Sequence, residues 1–248
     1  MTMIRRTFLA ASAAALLPTL PFSKHANAAG ATAVDLALIL AVDASMSIDE
    51  SEAGTQRAGY IHALRDKRIG DAIKGGPIGR IALTYMEWSS PYHQSVIIPW
   101  RILKDAADAK KFGDELESLP YKAGSTTSIS GGIDFAVKLF KSPEFEPTRK
   151  VIDVSGDGYS DYGRPVTAAR DAAVAAGITI NGLAVMNERP KWKQASPGDL
   201  DTYYRDNVIG GPGSFFLAVR NLEDFSRSVL QKMVLEIAGL PVPPTPRG

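Results

Sequence analysis

From residue 34 onward, short apolar runs alternate with stretches whose apolar residues recur every three or four positions. The run Val34-Asp35-Leu36-Ala37-Leu38-Ile39-Leu40-Ala41-Val42 predicts a buried strand over 35–42. A helix is predicted over 51–64, with Ala53, Ala58, Ile61 and Leu64 as its apolar stripe. Residues 81–88 read as a second strand, and 95–98, after a short polar turn, as its antiparallel partner. Further helices are predicted over 106–119, 129–140, 166–176, 200–207 and 224–237, and further strands over 150–155, 178–185 and 215–219. This alternation argues for an α/β domain, a mostly parallel sheet covered by helices, spanning about 31–240. Right-handed crossovers make the first, second, fourth, fifth and sixth strands parallel, so their carboxyl ends share one face. The loops at 43–50, 88–94, 156–164 and 186–199 lie on that face, where open α/β sheets bind their ligands. Residues 241–248 form a proline-rich tail that is expected to be disordered.

Composition narrows the chemistry. The 248 residues are 45% hydrophobic, enough for a sizeable core, and the net charge of +1 gives no bulk attraction for nucleic acid. The absence of cysteine excludes disulfides, thiolate metal sites and a cysteine nucleophile. His25, His62 and His93 are scattered, which argues against a histidine-based zinc site. Residues 1–28 read as a cleavable export signal. Arg5-Arg6-Thr7-Phe8-Leu9 opens an apolar run too short to span a bilayer, and Ala26-Asn27-Ala28 offers a cleavage site. The paired arginines resemble a twin-arginine signal, with Ile4 in place of the usual polar residue. A periplasmic mature protein with no integral membrane segment is expected.

Candidate chemistry concentrates at the end of the first strand. In Asp43-Ala44-Ser45-Met46-Ser47, one carboxylate and two hydroxyls alternate, and all three offer the oxygen that Mg²⁺ or Mn²⁺ selects. Gly124-Ser125-Thr126-Thr127-Ser128 leads into the helix at 129 with more hydroxyls. Ser155-Gly156-Asp157-Gly158 ends the fourth strand, with glycines on both sides of Asp157 allowing a tight turn. Ser47-Ile48-Asp49-Glu50 also fits a capping box, which explains Ser47 but not Asp43, Ser45, Thr126 and Asp157 together.

In order, spacing and strand placement, Asp43-x-Ser45-x-Ser47, Gly124-x-Thr126 and Asp157-Gly158 resemble the metal-ion-dependent adhesion site of von Willebrand factor type A domains. Glu87-Trp88-Ser89, the stretch 151–158, Ile178-Thr179-Ile180-Asn181-Gly182-Leu183-Ala184 and Val208-Ile209-Gly210-Gly211-Pro212-Gly213 are similar to an exported proteobacterial family known as a domain of unknown function. The usual Thr-Asp-Gly at the second aspartate is replaced by Gly156-Asp157-Gly158. The resemblance implies a Rossmann-like three-layer sandwich with a mostly parallel six-stranded sheet, one antiparallel edge strand, and helices on both faces. It further implies Mg²⁺ (or Mn²⁺) held directly by Ser45, Ser47 and Thr126, with Thr127 the alternative threonine, and Asp43 and Asp157 acting through water or hydrogen bonds to the serines. A module of this kind captures an Asp or Glu carboxylate of a partner protein, in some relatives with movement of the last helix, here 224–237.

No organic cofactor and no catalytic residue are expected. A G-x-S-x-G elbow and a G-x-G-x-x-G loop are absent after the strands, and no second aspartate follows Asp43 by two residues. A metal-assisted hydrolase is the rival, with Glu87 its spare general base. A scaffold that keeps the fold without metal is the third reading. The basic, aromatic loop 187–193 and the turn residues Trp88, Tyr92 and His93 are candidates for reading a partner. Asp153 reads as a hydrogen-bonded core carboxylate, Asp134 and Asp161 as surface charges, and Met46 has no chemical role.

Overall fold

β1 (Thr32–Asp43) carries no polar face because it has no exposed one: from Val34 to Asp43 every residue is buried. That is the signature of a strand in the middle of a sheet covered on both sides. In the computed structural model, which describes residues 30–45, 50–121, 124, 126–141, 144–186, 200–220 and 224–240, β1 lies between β2 (Ile81–Trp88) and β4 (Phe145–Gly156), parallel to both. β5 (Thr179–Val185) and β6 (Phe216–Val219) continue the parallel run, and β3 (Gln94–Leu103) pairs antiparallel with β2 at the other edge. The order is β3-β2-β1-β4-β5-β6. The chain leaves β1 toward one side of the sheet and returns through β4 on the other, so the carboxyl ends of β1 and β4 flank the point where strand order reverses. The predicted leader 1–28, the tail 241–248, loop 187–193, Met46 and Ser47 lie outside the described residues.

Alternate residues of β1 feed two cores. Leu36, Leu38, Leu40 and Val42 join α1 (Glu50–Arg65), α2 (Lys67–Lys74), α3 (Ala106–Ser118) and α7 (Phe225–Ala238) around Tyr60, Leu64, Phe112, Phe225 and Met233. Ile39 and Ala41 join α4 (Ile129–Leu139), α5 (Val166–Ala175) and α6 (Leu200–Tyr203) around Trp88, Ile133, Ile152 and Tyr204.

Several sequence expectations are corrected. α2 has no predicted counterpart; it starts at Asp66, whose carboxylate accepts the Arg68 N–H at 2.9 Å. Ile61 and Leu64 of the expected stripe are buried, but Ala58 is exposed, and α1 turns Gln56, Tyr60 and Ala63 inward beside them. β3 runs to Leu103 past Pro99, which an edge strand tolerates beside a pairing irregularity. β4 begins at Phe145 rather than at 150. The predicted helix at 200–207 is one α-helical turn followed by a π-helical turn, Tyr204–Val208.

α7 is fastened to the sheet by charge as well as packing. Lys232, fully buried, places its Nζ 2.5 Å from both Asp153 Oδ1 on β4 and Glu236 Oε1 one turn on. Asn181 Nδ2 of β5 donates to the same Glu236 oxygen at 2.8 Å. Asp153 is thus a core carboxylate, held by an ammonium. Two carboxylates share one cation, and burial first, then the Asp153 charge, pushes the Glu236 carboxyl from its ordinary 4.5 up to about 7. Between those two values the unfolded chain has released a proton that the folded chain keeps, so stability falls as pH rises through the window and levels off above it. Urea unfolding from pH 4 to 8 is expected to show that fall in the wild type and a shallower slope in Glu236→Gln.

Candidate functional site

Asp43 ends β1, and its Oδ1 accepts the Ser45 N–H at 2.8 Å. This Asx-type bond turns the chain out of the strand. Asp43 and Ser45 are both buried. The Ala44 N–H donates the last rung to Trp88 O at 2.8 Å, and Ala44 O accepts the Gly124 N–H at 2.7 Å. Gly124 therefore runs parallel beside Ser45 as a single bridge. Only glycine fits there, because a Cβ at 124 would collide with the Ser89 side chain.

The same loop is stitched to the end of β4. Thr127 O accepts from the N–H groups of Asp161 (2.9 Å) and Tyr162 (3.2 Å). Ser128 caps α4 by accepting the Gly131 N–H at 3.2 Å and donates its hydroxyl to Tyr162 O at 2.9 Å. The Ile129 N–H is taken by Ser160 Oγ at 3.1 Å. Asp157, 7% exposed, leaves β4 directly after Gly156, and a Cβ on Gly156 would stand 3.1 Å from Asp43 Oδ2. The segments bearing Asp43, Ser45, Thr126 and Asp157 thus meet at one pole, with the Thr126 side chain half-buried and Thr127 buried. Ser47 falls outside the described residues, as does Ser125. Among the described residues no group of three or more His, Cys, Asp or Glu side chains is placed to hold a metal. Among the described residues, Asp43 and Asp157 offer carboxylates and Ser45 and Thr126 hydroxyls, an all-oxygen set suited to a hard cation.

Glu87, one residue from the end of β2, is committed elsewhere. Its Oε1 accepts from Arg57 Nη2 at 2.8 Å and Nε at 3.2 Å, and both side chains are buried. Arg57 also donates to Leu119 O at 2.6 Å and Pro120 O at 3.3 Å, with its guanidinium 5.6 Å from the centre of the Tyr121 ring. Burial raises the Glu87 carboxyl and Arg57 opposes that rise. A carboxylate gripped in this way is not the spare base of the hydrolase reading. Burial, then the charges of Glu87 and Asp43, pushes the Tyr121 phenol up to about 12.

Other partner-reading candidates divide. Trp88 is wholly buried, with its ring 2.9 Å from where a Cβ on Gly132 would stand, so it belongs to the core. Tyr92 is 96% exposed at the tip of the β2–β3 turn, and Tyr162 is 58% exposed on the β4–α5 loop. Sequence reasoning missed Arg57, Ser89, Tyr121 and Tyr204. Only the steric demand on Gly124 and Gly156 hints at Ser89 and Tyr204, and that demand shows in three dimensions alone.

A family profile described as "Protein of unknown function (DUF1194)" matches residues 33–241. The chain belongs to that family. A comparison with curated proteins gave no match. Among solved structures, proximal thread matrix protein 1 from the mussel byssus superposes with a TM-score of 0.59 at 16% identity, over 85% of this chain and 49% of its own. The same mussel protein has been solved with a zinc-occupied MIDAS motif (TM-score 0.56, 14% identity, 82% of this chain and 46% of that one). The pilus adhesin SpaC from Lactobacillus rhamnosus GG gives 0.58 at 12% identity, over 84% and 31% of the two chains. A von Willebrand factor type A protein from Catenulispora acidiphila gives 0.54 at 11%, over 82% and 43%. The chain spans less than half the length of each of these structures. At such identities the likeness is one of fold: this chain adopts a von Willebrand A-like sandwich.

Arg57→Ala would leave Glu87 buried without its cation. A loss of about 3–5 kcal/mol is expected, read by urea unfolding, with Glu87→Gln the milder variant.

Proposed function

We propose that this DUF1194 chain is an exported, divalent-cation-dependent protein-binding module of the periplasm and not an enzyme. The observation that carries this reading is the strand end itself. The Asp43 carboxylate is turned back on the Ser45 N–H, and Gly124 and Gly156 bring the loops of Thr126 and Asp157 against it. In this reading the hydroxyls of Ser45, Ser47 and Thr126 hold Mg²⁺ or Mn²⁺, while Asp43 and Asp157 orient them and supply negative charge from behind. When bound, the cation supplies a Lewis-acidic position for an Asp or Glu carboxylate of a partner protein. Among the described residues the proposed ligand set holds two carboxylates, Asp43 and Asp157, and Glu87 is committed to Arg57, which leaves charge for the partner to provide. A mussel matrix protein with a metal-occupied MIDAS motif and a pilus adhesin on the same fold support an interaction role. The paired arginines, the short apolar run and the Ala26-Asn27-Ala28 pattern within residues 1–28 support export. Among the described residues no helix is long and apolar enough to cross a membrane.

Calorimetric titration of the mature chain with Mg²⁺ and Mn²⁺ tests the site. Saturation to ~100 times the dissociation constant is expected to add roughly 2.7 kcal/mol of stability to the wild type and nothing to Asp43→Ala. A wild type that takes up neither ion at millimolar concentration points to a metal-free scaffold. Co-purification of a partner from envelope extract is expected to need the cation and to disappear with EDTA or Asp43→Ala.

A further inference from the structure

The π-helical turn after α6 opens with Tyr204, whose ring is wholly buried and whose hydroxyl has no hydrogen-bond partner among the described residues. The ring lies in a trough made by two glycines on adjacent strands. A Cβ on Gly182 of β5 would stand 2.8 Å from the ring's Cδ1, and a Cβ on Gly156 of β4 would stand 2.8 Å from its Oη. That second Cβ would also be 3.1 Å from Asp43 Oδ2. The phenol therefore reaches across β5 and β4 toward β1, and its oxygen and the Asp43 carboxylate border the same vacant side-chain position. The preceding Tyr203 anchors the turn: its hydroxyl accepts the Ser160 N–H at 3.3 Å, and its ring meets Tyr159 edge-on at 4.7 Å.

A buried hydroxyl without a partner forfeits its hydration with nothing in return, at a cost to stability. Phenylalanine would fill the trough equally well without that cost, so packing does not explain the oxygen. Its position beside Asp43 does. We infer that Tyr204 is a positioning residue of the metal site: its hydroxyl donates to the Asp43 carboxylate, fixing it behind the serine ligands when the cation is held. Gly156 is then the residue that admits the phenol, which accounts for Gly156-Asp157-Gly158 where related domains carry Thr-Asp-Gly. The inference rests on the reading of the pole as a metal site. A carboxylate supported from behind by a fixed donor presents one orientation to the ligand shell, and loss of such a support typically weakens a metal 10–100-fold.

The test compares wild type and Tyr204→Phe, measuring thermal unfolding in EDTA and Mg²⁺ and Mn²⁺ affinity by calorimetry. The expected result is a Tyr204→Phe protein as stable as wild type or more so without metal, yet binding both ions roughly tenfold or more weakly. Equal affinity in the two proteins overturns this inference while leaving the metal site standing. A fall in metal-free stability that accompanies the weaker binding assigns the hydroxyl a structural role and also overturns it. A wild type that binds no metal removes both this inference and the reading it rests on.

Discussion

From Leu36 to Val42 the backbone of β1 is paired on both sides, and its final carboxylate must be accommodated where neither core can take it. Asp43 is buried at the edge of two apolar layers, so it needs a donor at once. The donor is the next available backbone N–H, that of Ser45. That bond ends the strand and sets the line along which Gly124 runs. The rest of the pole follows from this turn. Loop 124–128 is held by Ala44 and Ser89 on one side and by Ser160, Asp161 and Tyr162 on the other. The pole is therefore a set of loops tied to one another rather than loops that merely end near one another.

Two buried ionic assemblies stand behind it. Arg57 reaches from α1 to Glu87 on β2 and to the carbonyls after α3, while Lys232 ties α7 to β4 through Asp153. Buried ion pairs are weak sources of net stability because desolvation offsets much of their attraction. Their directional demand is stronger. Each one fixes the rotation of a helix over the sheet in a way that apolar contact alone does not.

How legible this was in the sequence depended on how local the cause was. β1 and β2 were readable because strands buried on both faces leave long apolar runs, and Asp43 and Ser45 because their spacing is itself the motif. α2 was not, since Asp66 restarts a helix with no glycine or proline to mark the break. Pro99 hid the far half of β3, because the tolerance of an edge strand depends on which strand it becomes. Trp88 read as a surface aromatic because it adjoins a turn, yet the space opposite Gly132 draws it inward. Arg57 and Tyr204 were illegible for a common reason: each gains its meaning from a partner on another element, Glu87 thirty residues away for Arg57 and a two-glycine trough for Tyr204.

Pro99 carries one more consequence. β3 is an outer strand of the sheet, and Pro99 sits exposed along it with no N–H to offer a neighbouring chain. The opposite margin, β6, is only four residues long. Neither margin is a good template for another strand, so edge-to-edge stacking of copies is disfavoured. A prolyl break on one margin and brevity on the other thus guard the sheet against polymerisation through its edges.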